Sequence, residues 1–115
     1  MKTIISSTSL ASAIVALSLA APALANTPLF KKKAEIVGAA GATACMVDTG
    51  RVTEAQGFKR LNQHIRKANL EDVADWLMSP KGSYATQLVK EHMNSTCTGV
   101  INAEALMEQL VPLML

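Results

Sequence analysis

From Gly38 to Cys45 the chain reads GAAGATAC, with no side chain bulkier than threonine. Glycine inside a helix costs about 0.5–1 kcal/mol relative to alanine. Two glycines within four residues therefore call for a compensating contact. The usual one is a helix pressed so close that larger side chains would block it. The spacing predicts a helix that lies against a partner helix along Gly38, Gly41, Ala44 and Cys45. The same small face could meet another chain or a membrane, but packing inside the protein is the expectation here.

The first quarter of the chain is different in kind. Met1-Lys2 is a short positive start, and Leu10 to Ala21 reads LASAIVALSLAA, an apolar run of 12 residues. Pro22 follows, and Ala23-Leu24-Ala25 is a small-x-small site. These three parts in this order predict a secretory signal peptide over residues 1–25, cleaved between Ala25 and Asn26. The apolar run is shorter than the ~20 residues a spanning helix needs. The working protein is then a single domain over 26–115, exported to the periplasm or the medium, with no membrane span left after cleavage.

Export bears on the two cysteines, Cys45 and Cys97, which lie 52 residues apart. In an oxidising compartment they are expected to pair. Closing a loop of that length stabilises by about 4 kcal/mol in the chain-entropy account. That is a large share for a domain of this size, whose core is small. Without Lys2 the eleven Lys and Arg become ten, against nine Asp and Glu. This near balance excludes the clustered basic excess of a nucleic-acid binder. The charge is uneven along the chain: Lys31 to Lys67 holds eight basic and three acidic residues, and Ala68 onward holds two and six. Attraction between the two halves is expected, with an anionic surface as the alternative.

Caps and breakers predict an all-α fold, a small bundle or orthogonal array of four to five helices stapled by one disulfide. Thr27-Pro28 opens the first helix, which runs to about Asp48 and stops at Gly50. Thr53 and Gln56 form a capping box before the stripe Phe58, Leu61, Ile65, Ala68. Asn69 is expected to cap a short helix over Leu70–Met78, with Val73, Trp76 and Leu77 inward. Ser79-Pro80 starts another, with Tyr84, Ala85, Leu88, Val89, His92 and Met93 on its apolar side, ending near Cys97. Asn102 caps the last, which Pro112 ends near Val111, leaving Leu113-Met114-Leu115 as a tail.

Chemistry-bearing motifs are sparse. There are two histidines, His64 and His92, too few for a zinc site of three or four ligands, and no H-x-x-x-H or C-x-x-C occurs. No metal and no cofactor is expected. His64 reads as solvated, and His92 as a residue at the edge of the core. Glu71, Asp72 and Asp75 cluster where a helix N-terminus favours carboxylates, which needs no further role. Met46, Met78, Met93, Met107 and Met114 are spread over several helices and read as gap-fillers rather than a Cu(I) cluster. No nucleophile elbow or phosphate loop is present.

A small helical domain with one disulfide resembles, in architecture only, the small periplasmic acid-stress chaperones, and no site residue is carried over from them. The sequence points to a non-catalytic exported protein that binds an apolar ligand or a partner protein between its helices. The alternatives are an accessory or structural subunit of a cell-envelope complex and, behind it, a small enzyme using His64 or His92.

Overall fold

A computed structural model describes residues 27–115; the expected signal peptide and its cleavage point at Ala25-Asn26 lie outside the described residues. The central element is α1, Pro28–Asp48. Thr27 caps it, its hydroxyl accepting from the Phe30 N–H at 3.2 Å, and Pro28 stands where a missing N–H does no harm. At the other end Gly50 takes a φ of +77°. That left-handed turn lets the Arg51 N–H reach the Met46 carbonyl at 2.9 Å, closing the helix.

Every other helix touches α1. It accordingly has no single apolar stripe: Phe30, Ala34, Ile36, Val37, Ala40, Gly41, Ala42 and Cys45 are buried around it. The expected close contact is real, and α4 supplies it. A Cβ at Gly41 would lie 2.6 Å from Val89 Cβ and 3.3 Å from the Lys90 amide nitrogen. The rest of the small face divides its duties, with Cys45 in the disulfide and Ala44 half-exposed.

Helix α2, Glu54–Lys67, begins with the predicted capping box: Thr53 Oγ1 accepts from the Gln56 N–H at 3.1 Å, and Gln56 Oε1 accepts from the Thr53 N–H at 2.8 Å. It runs back along α1. Close approach there rests on Gly57, whose added Cβ would fall 2.9 Å from Val47 Cγ2 and 3.0 Å from Thr43 Cγ2.

Asn69 does not cap the next helix. It has a φ of +57° and closes α2, with the Leu70 N–H on the Ile65 carbonyl at 2.9 Å. Asparagine tolerates the left-handed region, so one residue type serves either helix end. The expected Leu70–Met78 helix is instead a 3₁₀ turn, Glu71–Val73, followed by α3, Ala74–Met78.

Ser79 caps α4, Pro80–Glu91, with its hydroxyl accepting from the Gly82 N–H at 3.2 Å. This helix stops at His92, well short of Cys97. Beyond it, Asn94 organises a turn through Thr98 N–H to its side-chain oxygen (3.0 Å), and Met93 pairs with Val100 in an isolated antiparallel bridge. Cys97 sits in that turn at φ +59°.

Helix α5, Ala103–Met114, is capped by Asn102 and runs through Pro112. A proline so near a C-terminus removes one late hydrogen bond, and the last turn survives with the Leu115 N–H on the Val111 carbonyl at 3.1 Å. The tail is therefore helical. Met114 is 2% exposed, and Trp76 Nε1 and Lys33 Nζ donate to the Leu113 and Met114 carbonyls at 3.2 and 3.3 Å.

Cys45 and Cys97 are bonded, with their Cα atoms 5.7 Å apart, tying the end of α1 to the turn after α4. The described residues thus form an all-α array of five α-helices stapled by one disulfide. The expected attraction between halves holds for Lys32–Asp72 at 3.0 Å, whereas Lys90–Asp48 at 2.7 Å joins them with the opposite polarity.

Two outcomes follow for urea or thermal unfolding. Gly41→Ala should destabilise by about 2 kcal/mol through overpacking against Val89, lowering Tm by roughly 10 °C. A Cys45→Ala/Cys97→Ala variant should lose about 3–4 kcal/mol, and unchanged unfolding would show that the cross-link contributes nothing.

Candidate functional site

Helix α2 packs extensively on α1 and on no other helix. A cleft of about 550 Å³ is left between α2 and the α3–α4 pair. Its floor is the small face of α1: Ala40, Thr43, Ala44 and Val47. One wall is Gly57, Phe58 and Leu61 of α2; the other is Leu77, Met78, Ser83 and Thr86. Volume and apolar lining both suit a site for a small apolar ligand or a few apolar side chains.

The two threonine hydroxyls in the lining are engaged within their own helices. Thr43 Oγ1 donates to the Ala39 carbonyl at 2.8 Å and Thr86 Oγ1 to that of Gly82 at 2.9 Å. Charge is confined to Asp48 and Glu54, the end of α1 and the start of α2. Asp48 is paired with Lys90.

Phe58 and Met78, on opposite walls, are 66% and 76% exposed. The sequence stripe points Phe58 inward, and the structure corrects this: Gly57 and Ile65 are buried and Leu61 is half-buried, but the Phe58 side chain is left uncovered. Tyr84 is likewise exposed, since α4 turns only Gly82, Ala85, Leu88 and Val89 into the core. Trp76 is half-buried, its ring under Lys33 Nζ at 5.3 Å from the centroid.

Neither histidine lines the cleft. His64 is not fully solvated: its Nε2 is buried without a hydrogen-bond partner, 3.5 Å from Glu35 Oε2 of α1. That separation meets the distance for an ion pair, but no hydrogen bond forms. His92 ends α4, with Nδ1 2.8 Å from the Leu88 carbonyl. Among the described residues no group of three or more His, Cys, Asp or Glu is arranged to hold a metal ion. The only two cysteines are bonded to each other. Of the methionines, Met93, Met107 and Met114 are buried, Met46 packs against the core, and Met78 stands apart at the rim.

Sequence periodicity could not find the cleft, because it reports which side of a helix is apolar and not whether another element reaches it. Phe58→Ser and Met78→Ser should each change stability by no more than about 0.5 kcal/mol in urea unfolding, as exposed positions do. A loss above about 2 kcal/mol would place them in the core after all.

None of the known protein-family models, curated proteins or solved structures compared with this chain matches it.

Proposed function

We propose that the protein is a small, non-catalytic, exported binding protein, and that the cleft between α2 and α3–α4 receives an apolar ligand or the apolar side chains of a partner segment. The cleft itself carries this reading: about 550 Å³, floored by small residues and walled by Phe58, Leu61, Leu77 and Met78. Exposed apolar residues gathered around one concavity are a common mark of a binding site. The disulfide is compatible with an oxidising compartment and so supports the exported part of the proposal. A non-catalytic role for the cleft is supported by its lining, which holds neither His64 nor His92.

N-phenyl-1-naphthylamine, a neutral dye that fluoresces when shielded from water, tests the cleft directly. Titration should saturate at one dye per chain. Ala44→Leu, which fills the floor, should weaken binding by about tenfold or more, equivalent to at least about 1.4 kcal/mol, with the unfolding midpoint little changed. Dye binding that never saturates, or that ignores Ala44→Leu, would sink the proposal.

A further inference from the structure

We infer that the disulfide is a thiol-exchange site with a built-in direction: an incoming thiol attacks Cys45, and Cys97 leaves as a thiolate held by Arg51. The inference does not depend on what the cleft binds.

A cation stands over one sulfur and not the other. Arg51 Nη1 lies 3.6 Å from Cys97 Sγ. The same nitrogen donates to Thr49 Oγ1 at 2.8 Å, and Thr49 in turn donates to the Cys45 carbonyl at 2.9 Å. Thr49 thus positions the guanidinium beside the bond, its own oxygen 3.8 Å from Cys97 Sγ. Among the described residues Arg51 has no carboxylate within salt-bridge distance, so no anion competes for it. A guanidinium this close favours the thiolate over the thiol. The other sulfur has the opposite setting. Cys45 belongs to the last turn of α1, where the helix's unpaired carbonyls disfavour an anion.

The turn that carries Cys97 is built to let go. Cys97 holds a φ of +59°, a left-handed backbone that disfavours any residue with a Cβ. The neck of the turn is closed separately, with the Ile101 N–H on the His92 carbonyl at 2.7 Å and the Asn94 N–H on the Gly99 carbonyl at 2.9 Å. Breaking the bond therefore frees the residue in the unfavourable conformation and leaves the neck intact. Cys45 and Cys97 are 7% and 3% exposed, so exchange proceeds through local opening of this turn.

The step is an ordinary two-stage exchange with a dithiol reductant. One thiolate of the reductant attacks Cys45 Sγ and forms a mixed disulfide. The Cys45–Cys97 bond breaks, and its electron pair goes to Cys97 Sγ. The reductant's second thiol then closes onto its first sulfur, its proton passing to Cys45. The chain gains two electrons, and the reductant leaves as a disulfide. Reduction uncouples the connection between α4 and α5 from the end of α1.

The test follows reduction of the native protein without denaturant. With dithiothreitol at mildly alkaline pH, Arg51→Gln should slow loss of the bond by about fivefold, the effect of taking one nearby opposite charge from the leaving sulfur. Arg51→Lys, which keeps the charge, should recover most of the rate, and Arg66→Gln, an equal charge change on α2, should leave it unchanged. An Arg51 that merely braced the turn would give the opposite sign, since loosening the turn speeds reduction. Brief exposure to 2-mercaptoethanol, acid quenching and peptide mapping then locate the adduct. In wild type it should favour Cys45 over Cys97 by about tenfold. In Arg51→Gln that ratio should fall severalfold. Unchanged or faster reduction of Arg51→Gln overturns the inference, as does a wild-type adduct divided evenly or favouring Cys97. Slower reduction with an unchanged adduct ratio also overturns it, since Arg51 would then only attract anionic thiols. The wild-type ratio requires no variant, so it decides the matter even if Arg51→Gln fails to fold.

Discussion

At Gly41 the backbone of α1 comes so near α4 that a single added methyl would strike Val89. That approach sets the geometry around it. With α4 held against α1, Val89, Leu88 and Ala85 meet Ile36, Val37 and Ala40 in one core, and α5 closes over it with Leu106, Met107 and Leu110. Large side chains along α1 would fill more volume locally but hold the helices apart. The chain has only four aromatic side chains (two Phe, one Trp and one Tyr), and along this seam close backbone packing replaces bulk.

The cleft is the counterpart of the same economy. Small residues on α1 serve two neighbours, α4 directly and α2 through Gly57, but α2 and α3–α4 do not themselves close together. The floor is smooth because Ala40 and Ala44 have so little side chain, and the rims stand high because Phe58 and Met78 are long. One composition thus produces both the tight core and the opening beside it. Thr43 and Thr86 turn their hydroxyls back onto their own helices, and Asp48 is held by Lys90, so these three polar groups of the lining are already occupied.

Much of this architecture was legible in the sequence, and for identifiable reasons. Thr27-Pro28, Thr53 with Gln56, and Ser79-Pro80 start helices because their side chains satisfy N–H groups within three residues, a local matter. The disulfide was legible from the count of two cysteines. What failed depended on distant neighbours or on residues with two uses. Asn69 suits either end of a helix, and only the path of α2 decides which. Helix α4 ends short of Cys97 because the turn after it is fixed by the bridge of Met93 with Val100 and the disulfide at Cys97, neither visible in a periodic pattern. Pro112 does not end α5, because a proline in a last turn removes only one late hydrogen bond. Phe58 and Tyr84 lie on apolar stripes yet are exposed, because a stripe says nothing of its cover, and the cleft is hidden from the sequence for the same reason.

The disulfide pins residues 45 and 97, and all of α2, α3 and α4 lies inside the ring it closes. Helix α2 is attached at each end by a left-handed turn, Gly50 before it and Asn69 after it, and leans on one neighbour. Opening an element held this way costs no more than global unfolding and exposes fewer apolar groups. Its excursions are bounded, because the ring keeps its attachment points near the core while it moves. The width of the cleft is then governed by a local equilibrium separate from global unfolding. Affinity for anything entering it scales with the fraction of molecules in the receptive width. The cross-link therefore bears on the cleft as well as on folding: it fixes both ends of the chain segment that carries the cleft's two walls.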